Sequence, residues 1–246
     1  ACQSTVAPES QPAESVAAAP VLSEKLVIEQ AINSTALEIE EEDVIESFDN
    51  LWNRLRAEFQ LAPHYEHEAV DKQLSTYVNN QAYFDRISER AEPFLFWIVG
   101  EIERRELPME LALIPIVEST FNPNAYSPEH AVGLWQFIGP TARSFGLQQD
   151  WWVDGRRDPR ASTVAALDFL EELHKEFNED WLLALAAYNT GAGNVRRAIR
   201  RAGLSKETAD FWSLGLASET RSHVPKILAL AKLIDANDAY GVELTP

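Results

Sequence analysis

From Val44 onward, apolar residues recur at helical spacing: Val44, Ile45, Phe48, Leu51, Trp52, Leu55 and Phe59 stand one, three and four apart. That pattern predicts an amphipathic helix over 44–59. A second helix is expected over about 66–78. A third is expected over 81–106, with Ile87, Ala91, Leu95, Ile98 and Ile102 on one side and a bend or restart at Pro93. Pro108 suits the first turn of a fourth helix. This helix carries seven apolar residues without a break, 111–117, and ends at Glu118. Pro115 removes the backbone donor that would reach Leu111, so irregular backbone is expected one turn before Glu118.

The chain then turns to loop chemistry at Asn122-Pro123-Asn124, Ser127-Pro128 and Gly133. A short helix over 140–145 is closed by Gly146. Asp158-Pro159 opens a long helix with Val164, Leu167, Leu170, Leu173 and Phe177 on one face. Asp180 reads as the cap of a helix over 181–189, and Asn194 as the cap of one over 195–202 that Gly203 stops. A last helix starts near Ser218 and continues past Pro225 with Ile227, Leu228, Leu230, Ala231 and Leu233. No segment has strand periodicity and no repeat is evident. The fold class is therefore all-α.

Charge divides this picture unevenly. The net charge is −18, but residues 1–50 hold eleven Asp and Glu against Lys25 alone, a net −10. With no aromatic residue before Phe48, residues 1–43 read as an acidic, self-repelling tether. Residues 44–106 read as supporting helices and 107–246 as the functional domain, with 44–246 forming one structural unit. Acidity argues against nucleic acid as a partner, since phosphate binding needs clustered Lys and Arg. No apolar run nears the roughly 20 residues that span a bilayer, the nearest being 93–100. Cys2 is the only cysteine, so the fold stands on packing without an internal disulfide. Ala1-Cys2 before Gln-Ser-Thr has the look of a bacterial lipoprotein junction, with a chance cysteine in a tail as the alternative; a lipid there would tether the protein to a membrane.

Glu118 is the chemical anomaly. A carboxylate closing an apolar segment should meet either a desolvating pocket that raises its pKa or a buried cation, and no Lys or Arg lies near it in sequence. Ser119, Asn122, Ser127 and Gln136 follow it, while Tyr188 and Asn189 end a second apolar helix in the same manner. Two such helix ends suggest two walls of one cleft, although local capping is the commoner fate of Ser and Asn. His64-Tyr65-Glu66-His67-Glu68 lacks further ligands at metal-site spacing and reads as a solvated face. Gly191-Ala192-Gly193 follows a helix, not a strand, and is no phosphate loop. Trp135, Trp151, Trp152 and Trp212 invite a carbohydrate reading, but most Trp residues are simply core.

Three motifs carry a resemblance. The run Glu118-Ser119-x-Phe121-Asn122-Pro123-x-Ala125-x-Ser127, continuing through Gly133-Leu134-Trp135-Gln136-Phe137-Ile138, resembles the lytic transglycosylase family, relatives of goose-type lysozyme. Ala187-Tyr188-Asn189-Thr190-Gly191-x-Gly193-x-Val195 resembles its second motif, and Glu219-Thr220-Arg221-x-x-Val224-Pro225-Lys226 its third. Trp151-Trp152-x-Asp154-Gly155-Arg156-Arg157-Asp158 and Leu51-Trp52-x-Arg54 look like its membrane-bound D-type branch. The chain departs from the usual pattern at His223, where Tyr is usual, and at Trp135, where Met is common.

The resemblance implies a lysozyme-like helical domain that cleaves the β-1,4 bond between N-acetylmuramic acid and N-acetylglucosamine of peptidoglycan without adding water. It implies Glu118 as acid and then base, with Ser127, Gln136, Tyr188 and Asn189 lining the cleft. Ser119 and Glu219 would be supporting residues, Glu219 by holding the cleft helices together. No metal or other cofactor is implied, and the expected state is a monomer in the periplasm, held at the outer membrane through Cys2. Two rivals remain: a goose-type hydrolase with Glu129, Asp154 or Asp158 as base, and a non-catalytic cell-wall-binding module.

Overall fold

The computed structural model describes residues 50–244. The expected tether over 1–43, Cys2 and the first residues of the helix predicted over 44–59 lie outside the described residues. The described residues all fall within one compact unit.

Asn50 opens α1 (Leu51–Ala57), its side chain accepting from the amides of Trp52 and Asn53 at 3.1 and 3.3 Å. A 3-10 turn (Ala62–His64) leads to α2 (Glu68–Tyr77), whose cap is His67. The long α3 (Gln81–Arg104) keeps Pro93 inside an uninterrupted helix. Beyond it the predicted fourth helix is split: Met109–Leu113 is a 3-10 turn and only Ile114–Ser119 is α-helical (α4). Pro115 explains the break, because it sits in the first turn of the new helix, where no amide is needed.

A long loop stitched by isolated bridges, Tyr126 to Val132 and Val132 to Phe137, leads to α5 (Gly139–Ser144). After a 3-10 turn (Gly155–Arg157) come α6 (Pro159–Glu176), capped by Asp158, and α7 (Trp181–Thr190), capped by Asp180. Then α8 (Ala192–Ala202) follows almost without a loop. The reversal between α7 and α8 is made by Gly191 at φ +88°, a left-handed value that a side chain would strain. Asn194 is not the cap predicted for α8. It lies inside the helix and its amide donates back to the Thr190 carbonyl at 2.6 Å. Last is α9 (Ser218–Asp235).

Two helices organise the interior. Leu182–Ala187 of α7 are all buried, so this helix has no polar face. It is flanked by α6, α8 and α9, and α9 packs in turn on α1, α2, α4 and the 3-10 turn Met109–Leu113. Arg105 ties the end of α3 to α6 through Asp168 at 2.6 Å and Glu171 at 3.0 Å. Among the described residues the structure is all-α and no strand forms.

Candidate active site

Three helix ends meet around Glu118. It lies in the last turn of α4, and the helix is stopped one residue later by two left-handed residues in succession, Thr120 and Phe121, each at φ +52°. Their amides return to Ile116 O and Pro115 O, both at 3.1 Å, which satisfies the final carbonyls of a very short helix. A β-branched Thr in this region is strained, and such strain persists only where surrounding contacts enforce it. Here the Ser119 hydroxyl is the enforcing contact. It bonds the Leu134 carbonyl at 2.9 Å and accepts from Asn122 N at 3.2 Å, joining the end of α4 to the loop beyond.

The buried partner that a terminal carboxylate demands comes from 105 residues away. His223 Nε2 lies 2.8 Å from Glu118 Oε1, with the His223 side chain 7% and the Glu118 side chain 16% exposed. His223 Nδ1 is buried and without a hydrogen-bond partner. We therefore read the ring as neutral with its proton on Nε2, donating to the carboxylate. A cationic ring would bury an unpaired N–H as well as a charge. One Glu118 oxygen is thus held, and Oε2 has no partner among the described residues.

Tyr188, at the end of α7, donates its hydroxyl to the Trp135 carbonyl at 2.7 Å. Burial, and then the nearby charge of Glu118, hold this phenol well above its ordinary range, so it stays protonated and serves as a donor. Asn189 accepts from the Thr220 hydroxyl at 2.8 Å, which fixes the end of α7 to the first turn of α9. Trp135 is wholly buried and its indole N–H donates to Thr163 at 2.9 Å.

Other predicted residues do local work. Ser127 Oγ accepts from Glu129 N and Ala131 N, both at 3.2 Å, and so shapes its own loop. Gln136 sits at φ +49° with its amide on Gly133 O at 2.8 Å. Glu219 is exposed in the first turn of α9, and no side-chain bond joins it to another described residue. Thr220 and His223, buried on the opposite side of that turn, do the joining. Their signal was visible as polar residues at positions 220 and 223 on the face that continues with Val224 and Ile227.

Glu110 was missed outright. It is fully buried one turn before α4 and accepts from Leu61 N, Tyr65 OH and Gln60 N. A cavity of about 590 Å³, lined by His67, Lys72, Trp212, Arg221 and Ser222 among others, includes neither Glu110 nor Glu118.

Residues 96–211 match the family described as Transglycosylase SLT domain. Over 179 residues the chain is 45% identical to membrane-bound lytic murein transglycosylase D of Escherichia coli K12, covering 73% of this chain. The chain belongs to the SLT-domain family. It spans 40% of the length of that relative. With the soluble lytic murein transglycosylase of the same organism it shares 28% identity over 130 residues, 51% of this chain and 20% of that one. The X-ray structure of an inactive mutant of the lytic transglycosylase Slt from Pseudomonas aeruginosa superposes with a TM-score of 0.46 at 27% identity, covering 60% of this chain and 24% of the other. The family match of this SLT-domain protein encloses Glu118, Ser127, Gln136, Tyr188 and Asn189. It ends before α9, so Thr220 and His223 complete the site from outside the matched stretch.

Proposed function

We propose that this SLT-domain protein is a lytic transglycosylase that cleaves the β-1,4 bond between N-acetylmuramic acid and N-acetylglucosamine of peptidoglycan and leaves 1,6-anhydro-muramic ends. The observation that carries the reading is the Glu118–His223 pair at 2.8 Å, a carboxylate held on one oxygen with the other left for substrate. A proton on Oε2 passes to the glycosidic oxygen as the C1–O bond breaks. Negative charge then grows on a carboxylate whose Oε1 already receives the His223 N–H, and a donor aimed at developing charge favours that step. Glu118 next takes the proton of the C6 hydroxyl as its oxygen bonds to C1. The ring closes, Glu118 is protonated again, and no water enters the balance.

What favours transglycosylation over hydrolysis is the fate of the other carboxylates. A hydrolase of the retaining or inverting kind needs a second free carboxylate near the first. Asp154 is paired with Arg156 at 2.8 Å, Asp158 caps α6 through Arg160 N and Ala161 N, and Glu129 stands exposed in the loop. The names of the relatives support a periplasmic, membrane-associated setting with glycan strands as the partner. Among the described residues no helix is long and apolar enough to cross a membrane, and a lipid on Cys2 would supply the attachment.

Mass analysis of fragments released from purified sacculi tests the reaction type, because the anhydro product is lighter by one water than a hydrolysed one. Glu118→Gln should abolish release and keep binding. Unchanged turnover by that variant would overturn the assignment, and hydrated ends alone would move it to the hydrolase.

A further inference from the structure

Trp151 and Trp152 are each 87% exposed, although indoles bury a large apolar area wherever a fold can use it. Nothing in the packing requires them there. Their loop is nonetheless well held. Asp150 Oδ1 accepts from Trp152 N at 2.7 Å and Val153 N at 2.9 Å, Asp150 N returns to Val153 O at 2.9 Å, and a bridge pairs Gln149 with Asp154. Those amides keep the Asp150 carboxyl below its ordinary range, so the turn is held by an ionised acceptor at neutral pH. The two indoles are displayed edge to face, with centroids 6.4 Å apart and planes at 90°.

The loop is also joined to the candidate site. Gln149 Nε2 donates to Gly139 O at 3.2 Å, and Arg156 reaches Phe137 O at 3.2 Å and His130 O at 3.1 Å, so the loop rests on the segment that carries Gln136. Contact is close enough that a Cβ on Gly133 would fall 1.9 Å from the Arg156 carbonyl oxygen.

We propose that Trp151 and Trp152 form a glycan-binding platform that extends the Glu118 cleft and holds a pyranose ring of the same strand away from the bond being cut. Flat indole faces match the C–H face of a sugar, while Gln148, Gln149 and Asp150 beside them are engaged in holding the turn, so recognition rests on the indole faces. A lipid surface fits less well, because the apolar tip is three residues wide, with Asp150 and Asp154 on either side, and membrane-surface segments favour Lys and Arg.

The proposal rests on the peptidoglycan reading, and the experiment separates the two. In Trp151→Ala/Trp152→Ala, exposed side chains are removed, so the urea midpoint should not move. KM for purified sacculi should rise about tenfold with kcat within about twofold. The same pair of changes placed on Glu118→Gln should weaken its binding to sacculi by a similar factor. Vesicles of phosphatidylethanolamine and phosphatidylglycerol serve as the counter-probe. Unchanged KM and sacculus binding would overturn the platform, as would loss of vesicle binding with sacculus binding intact. If Glu118→Gln turns over normally, the catalytic reading itself fails, whatever the tryptophans do.

Discussion

Glu110→Ala should cost this protein about 4 kcal/mol of stability, although residue 110 touches neither Glu118 nor His223. Three donors converge on the buried carboxylate: Leu61 N at 2.7 Å and Tyr65 OH at 2.8 Å on Oε1, and Gln60 N at 3.1 Å on Oε2. Leu61 and Tyr65 are 5% exposed, so alanine leaves two donors stranded in the core, at about 1–3 kcal/mol each. Gln60 is exposed and its amide can turn to water, so it adds little. Burial, and then the charge of Glu110, keep the Tyr65 phenol far above its ordinary range; with Glu110 replaced by alanine its burial still disfavours ionisation, so it remains a donor with nothing to give to. A loss near 4 kcal/mol lowers Tm by roughly 10 °C in a chain of this size. Urea unfolding followed by far-ultraviolet circular dichroism would measure it on the full chain. Glu110→Gln should lose less, since its oxygen can still serve Leu61 and Tyr65 while its amide opposes only the Gln60 N–H. A loss below about 1 kcal/mol for the alanine variant, or a glutamine variant worse than alanine, would refute the reasoning.

His223→Phe should lower kcat on sacculi about 100-fold, by removing the donor to Glu118 Oε1, while the urea midpoint holds or rises because the orphaned Nδ1 is gone; a parallel fall in both would reduce His223 to a structural residue. Thr120→Gly should stabilise by about 0.5–1 kcal/mol by relieving a β-branched residue at φ +52°, and destabilisation in thermal melts would show that the turn is not strained. Asp154 is held below its ordinary 3.8, chiefly by the Arg156 hydrogen bonds. A lowered folded-state pKa contributes stability above the unfolded value and loses it as pH falls through the folded one, so Asp154→Asn should flatten the decline in urea midpoint below about pH 4. In an ultraviolet pH titration, Tyr188→Phe should leave the alkaline transition near pH 10 unchanged, because Tyr188 does not ionise in that range.

Helix positions were readable because amphipathic spacing and caps are local properties. Asp158 and Asp180 cap the helices they were expected to cap, and Pro115 breaks the backbone where a missing amide required it. Asn194 misled because a good capping residue was outranked by Gly191, whose positive φ lets α8 begin earlier. Glu118 stood out because seven apolar residues precede it. Glu110, at the other end of nearly the same run, did not. Nothing in its neighbours says that the amides of Gln60 and Leu61, some 50 residues upstream, converge on it.

By itself the sequence determined the all-α class, most helix ends, and the order of motifs that marks the family. It could not determine which side chain meets Glu118. His223 stood out as a departure from a family pattern, whereas the structure makes it the direct partner of Glu118, and Glu219 stands in solvent. The reason is physical. Helix formation depends on neighbours three and four residues away, so its signal lies within a short window. A carboxylate–imidazole contact across 105 residues exists only once α4, α7 and α9 pack and bring their ends together.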